Sequence, residues 1–144
     1  MIKRIACLLL TLTLFVSGCA SQTLPYTLAS ESMLPAFLDS APATVREAYR
    51  FAMNNMDEME NYPCYCGCGA MGHTSNLSCY IKDVDTAGNS TFDEHAAGCG
   101  ICVDITQDVM RLLKEGRSSV EIRTYIDATY SAFGPSTDTP LPQG

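Results

Sequence analysis

The run Pro63-Cys64-Tyr65-Cys66-Gly67-Cys68-Gly69 constrains this chain more than any other feature. Cys79, Cys99 and Cys102 follow it, and the chain's two histidines, His73 and His95, lie in the same stretch. Thiols at this density need either an oxidising compartment or a metal. In an extended backbone alternate side chains share one face, so Cys64, Cys66 and Cys68 can converge on a single point. Gly67 and Gly69 let the backbone fold tightly around it. Cys99 and Cys102 fall at the start of a helical pattern, where the dipole and free N–H groups stabilise a thiolate.

These eight donors suffice for two four-coordinate sites or one polynuclear cluster. Soft thiolates select Cu(I), Zn(II) or an Fe–S cluster over magnesium or calcium, and outside the cytoplasm Cu(I) or Zn(II) is the easier to maintain. The candidate ligands are therefore Cys64, Cys66, Cys68, His73, Cys79, His95, Cys99 and Cys102, and the cofactor is a copper or zinc ion. Met71, with Met53, Met56 and Met59 upstream, offers thioethers that suit Cu(I), although methionines at helical spacing are ordinary core filling. Two other uses of the cysteines stay open. Three disulfides could staple the domain, but thiols one residue apart pair poorly with each other. Alternatively, Cys99 and Cys102 could exchange disulfides with a partner.

Other chemistry is scarce. Asp83, Asp85, Gly88 and Glu94 match four positions of a calcium loop, but Ala87 stands where an oxygen ligand belongs, so the segment reads as a polar hairpin turn. No phosphate-binding glycine loop, Gly-x-Ser-x-Gly or His-Glu-x-x-His occurs, and turnover without thiols or metal is not expected. Sixteen acidic against nine basic residues, a formal charge of −7, argue against nucleic acid as a partner.

The N-terminus reads as an address. Met1 to Arg4 is basic, Ile5 to Val16 is apolar but too short to span a bilayer, and Val16-Ser17-Gly18-Cys19 has the form of a bacterial lipobox. The alternative is an ordinary secretory peptide cleaved near Ala20. Residues 1–18 are accordingly expected to be a signal peptide, with Cys19 lipidated and anchoring the chain to a membrane from outside the cytoplasm. Residues 19–42 would then form a tether, 43–133 the folded domain, and 134–144 a disordered tail.

Within the domain the periodicity predicts a mainly α fold. A helix is expected from Thr44, with Thr44-Val45-Arg46-Glu47 as a capping box, ending or kinking at Asn54-Asn55. Residues 80–84 and 90–92 can pair as a short β-hairpin. Ile101, Ile105, Val109, Leu112 and Leu113 mark a helix stopped by Gly116. A second capping box, Ser118–Glu121, opens another helix with Ile122, Tyr125/Ile126, Thr129 and Phe133 inward. So short a turn makes these two an antiparallel hairpin around the Cys-rich loop.

The segments Pro63–Gly69, Gly72-His73, Ser75-Asn76-Leu77, Cys79-Tyr80 and His95–Asp104 resemble the PCYCGC-motif bacterial lipoproteins, from about Ala48 through Tyr130. That family is itself of unknown function. The resemblance implies an exported lipoprotein with this Cys/His set as its site. The metal role, with capture, buffering or delivery to a metal-receiving protein partner, comes from the ligand chemistry. The C-terminal hairpin is also similar to that of the thiol-reductase lipoproteins of cytochrome c maturation, which carry two cysteines rather than six.

Overall fold

Pro42 opens the first long helix, α1 (Ala43–Asn54), in a computed structural model that describes residues 23–143. Proline suits a helix start because it has no N–H to leave unsatisfied. The helix therefore begins one residue before Thr44, which falls inside the first turn, and the capping box expected there does not form. The break at Asn55 is as expected. Its side-chain amide donates to the Phe51 carbonyl (2.7 Å) and the Thr27 carbonyl (2.8 Å), and a single further turn, α2 (Met56–Met59), follows. Competition of this kind for backbone carbonyls is how asparagine interrupts helices.

Strands β1 (Ile81–Val84) and β2 (Ser90–Phe92) pair antiparallel, with a bulge between Ile81 and Asp83. Asp85 closes the turn between them, accepting the N–H groups of Ala87 (2.9 Å) and Asn89 (2.8 Å). Its carboxylate thus serves the turn. Helix α3 (Gly100–Lys114) packs against α1 and against α4 (Ser119–Tyr130), so it is the central element of a mainly α domain. It ends in a Schellman motif: Gly116 takes φ +78°, its N–H reaches the Leu113 carbonyl, and the Arg117 N–H reaches that of Leu112. The Ser118–Glu121 capping box of α4 is present in both directions. On α4 the inward residues are Ile122, Ile126 and Tyr130, while Thr129 and Phe133 are exposed. The chain leaves helical geometry after Tyr130, so the register that would have brought Phe133 inward is not continued.

Two further expectations are corrected. From residue 23 onward the expected tether packs on the domain: Tyr26, Ala29 and Leu38 are buried, and Arg50 donates to the Ala29 carbonyl and pairs with Glu31. Likewise residues 134–143 are not disordered but lie along the cysteine motif, with Thr137 and Thr139 buried. In both segments isolated apolar or threonine side chains dock into grooves of the helical core, which needs no periodicity. The expected signal peptide (1–18) and lipidated Cys19 lie outside the described residues.

Candidate metal centre

All six cysteines of the 64–102 region are free thiols, and their sulfurs meet. The Cys64 Sγ lies 3.3 Å from that of Cys66 and 3.4 Å from that of Cys102, with Cys66 and Cys102 3.8 Å apart. The Cys68 and Cys79 sulfurs are 3.6 Å apart. These spacings are far from the disulfide length of about 2.05 Å. They are close to the edge of about 3.8 Å that four sulfurs make around one ion at a metal–sulfur distance of about 2.3 Å.

Donor atoms within 4.8 Å of one another fall into two groups: Cys66, His95, Cys99 and Cys102, and the fully buried Cys64, Cys68 and Cys79. The motif's three cysteines therefore do not act as one triad. Gly67, at φ +84°, turns the backbone through the left-handed region. This ends the extended run after Cys66 and sends Cys68 into a 3-10 turn facing Cys79. His95 Nε2 lies 3.3 Å from the Cys66 sulfur. His73 belongs to neither group, but its Nδ1 is 3.3 Å from the Cys79 sulfur and its ring meets that of His95 edge to face. Of the four methionines, Met59 is buried, Met53 and Met56 pack against the core, and only Met71 stands exposed near the site.

Each donor is held by the surrounding fold. Cys99 is the N-cap residue of α3, and Cys102 sits in its first turn. The Cys102 carbonyl accepts from Tyr80 Oη (2.8 Å), Thr106 Oγ1 (3.1 Å) and Asn76 Nδ2 (3.2 Å), all in the interior. Tyr49 of α1 donates its hydroxyl to the Asp93 carbonyl (2.7 Å) and accepts the Ala97 N–H (3.2 Å), clamping the segment that carries His95. Asp93 Oδ1 accepts the His95 N–H at 2.7 Å, while Oδ2 lies 3.7 Å from His73 Nε2 and 3.6 Å from Lys82 Nζ. Opposite, Thr137 Oγ1 accepts the Cys64 N–H and the Thr137 N–H returns to the Cys64 carbonyl, both at 2.9 Å.

Asp93 and Thr137 are site residues beyond those expected from the sequence. Asp93 had a signal, a carboxylate two residues before a candidate ligand at a strand end. Thr137 had none.

The electrostatics of the thiols favour a cation. Hydrogen bonding from Cys102, then Cys79, holds the Cys64 thiol far below its ordinary range, and the thiolate on Cys64 in turn drives Cys102 far above it. Burial pushes up Cys66 and Cys68, and the nearby Cys64 charge pushes them further. Thiols packed this closely resist losing several protons at once, and a positive ion among them would relieve that resistance. The donor set fits a thiophilic metal, whose charge would supply what the sulfurs lack.

A family model described as a protein of unknown function with PCYCGC motif matches residues 16–142. No curated protein and no solved structure matches the chain.

Proposed function

The chain belongs to this PCYCGC-motif family, and we propose that its members' shared motif builds a metal centre here, for capture, buffering or delivery of a thiophilic ion at the cell surface. One observation carries the reading: six unpaired thiols and the His95 imidazole form two adjoining donor groups, one of three cysteines and a histidine and one of three cysteines, with His73 3.3 Å from the Cys79 sulfur beside them. Cu(I) is the preferred ion and zinc the second, because a buried group of thiolates alone suits the softer cation. The formal charge of −7 supports cation rather than nucleic-acid chemistry. Lipidation at Cys19 would hold the centre outside the cytoplasm, and the Val16–Cys19 sequence is its support; loss of fatty-acid labelling in a Cys19→Ser chain tests it.

A second reading keeps one observation of its own. Cys99 is partly exposed at a helix N-terminus and Cys102 is buried three residues on, an order suited to a thiol–disulfide oxidoreductase.

The deciding experiment is metal content by mass spectrometry beside a native thiol count, on a chain starting at Ala20 purified without reductant or chelator. The metal reading expects stoichiometric copper or zinc, with thiols that react only after chelation. Absence of metal with no free thiol would overturn it in favour of a disulfide-stapled domain. Absence of metal with one reactive pair would overturn it in favour of exchange through Cys99 and Cys102.

A further inference from the structure

The two donor groups differ in their access to solvent. Cys64, Cys68 and Cys79 are at most 2% exposed, whereas Cys66, His95 and Cys99 are each partly exposed. A depression of about 550 Å³ opens beside His95 and Cys99 of the more exposed group, lined also by Met71, His73, Asp93 and Glu94. Another, of about 320 Å³, reaches Cys99 from the side of Ala96 and Asp104. The Cys64, Cys68 and Cys79 group is covered among the described residues: Tyr80 bonds the Cys102 carbonyl of α3 beside it, and Thr137 is bonded across the backbone of Cys64. One sulfur links the two, because Cys64 belongs to the buried group yet lies within 3.4 Å of both Cys66 and Cys102.

Resting on the metal reading above, we propose that the centre is a two-compartment store. An outer ion on Cys66, His95, Cys99 and Cys102 is the one exchanged with acceptors. An inner ion on Cys64, Cys68 and Cys79 is retained and is replaced only through the outer position, by way of Cys64. A competing ligand can approach the outer ion through the depression and displace Cys99 or His95 first, since both present a face to solvent. Each displaced thiolate takes up a proton or the next ion, and no oxidation is involved. To reach the inner ion the competitor must wait for the outer group to empty, because the direct way in would need the 137–139 segment to lift, and such local opening is infrequent.

The test uses a chain starting at Ala20, loaded anaerobically with Cu(I) to saturation and freed of excess. Bound copper is counted, and an excess of a chromophoric Cu(I) chelator is then added. The proposal expects two ions per chain and two release phases of equal amplitude, with rates about tenfold or more apart. Alkylation in the interval between the phases, read by peptide mass spectrometry, should modify Cys66 and Cys99 and spare Cys68 and Cys79. A Cys99→Ser chain should release its outer ion faster and keep the slow phase unchanged. Failure to bind Cu(I) at loading overturns the metal reading and this proposal with it. One ion, a single release phase, or alkylation of Cys68 and Cys79 first overturns the two compartments and leaves metal binding standing.

Discussion

Replacing Thr137 with valine removes one hydroxyl and almost no volume, and the result should be felt across the cysteine motif. In the folded chain that hydroxyl accepts the Cys64 N–H at 2.9 Å and pairs with the Thr139 hydroxyl at 2.8 Å. Thr139 keeps a partner in the Thr74 carbonyl, so its loss is small. Cys64 does not: the residue is fully buried, and its N–H would face a methyl group. A buried donor left unmade costs about 1–3 kcal/mol, a large share of the 5–15 kcal/mol that typically holds a domain together. Thr137→Ser keeps the acceptor and loses one methyl, worth about 0.8 kcal/mol. Urea unfolding of the reduced, metal-free chain, followed by circular dichroism, should place the valine variant about 1 M below the wild type and the serine variant between them. Equal midpoints for valine and wild type would refute the claim that this hydroxyl secures the motif. So would serine falling as far as valine, since the methyl would then be the active part.

Three further outcomes are expected. Asp93→Asn keeps an acceptor for the His95 N–H but removes the charge beside His73, so metal affinity should fall about 10- to 100-fold in a competition titration while the unfolding midpoint holds. Gly134→Ala would set a Cβ 2.9 Å from the Tyr65 carbonyl oxygen, and the backbone shift this forces in the motif should cost about 1–3 kcal/mol in the same urea assay. Burial, then the Asp127 carboxylate, pushes the Tyr65 phenol up to about 12, and burial also raises Tyr49, Tyr62, Tyr80 and Tyr130. Because these folded-state values lie above the unfolded value of about 10, their stabilisation is complete below pH 10 and is lost as pH rises from there, through about 12 for Tyr65 and beyond that for the more deeply buried phenols. Tyrosinate absorbance should therefore lag in an alkaline titration and rise together with loss of the helical signal, and ionisation of every phenol near pH 10 with the fold intact would contradict this.

What could be read from the sequence divides along physical lines. Helix ends written in local chemistry were legible: the Ser118–Glu121 box, Gly116 beyond α3 and the interruption at Asn55 all depend on neighbours a few positions away. The Thr44 box failed because Pro42, two residues earlier, is the better start, and local motifs compete. The eight donors were legible as a set, since residue type and density alone mark them. Their division into two groups was not, because it turns on the left-handed backbone of Gly67 and on partners 30 or more positions away, such as Cys102 for Cys64. The segments 23–42 and 134–143 carry too little apolar periodicity to signal burial. Their contacts are single side chains inserted into a surface that exists only once the helices have assembled.

The hydrogen bonds between Thr137 and Cys64 join positions 73 residues apart, and this separates the site's parts in time as well as in sequence. A ribosome adding about 5–20 residues per second delivers every thiol and both imidazoles before it delivers the residue bonded across the backbone of Cys64. For roughly the few seconds between Cys102 and Thr137 the nascent chain carries a full complement of sulfur with its closing latch still unmade. A chain that stops ten residues short keeps that condition for life: every ligand is present, and the backbone of Cys64 has lost both bonds to Thr137.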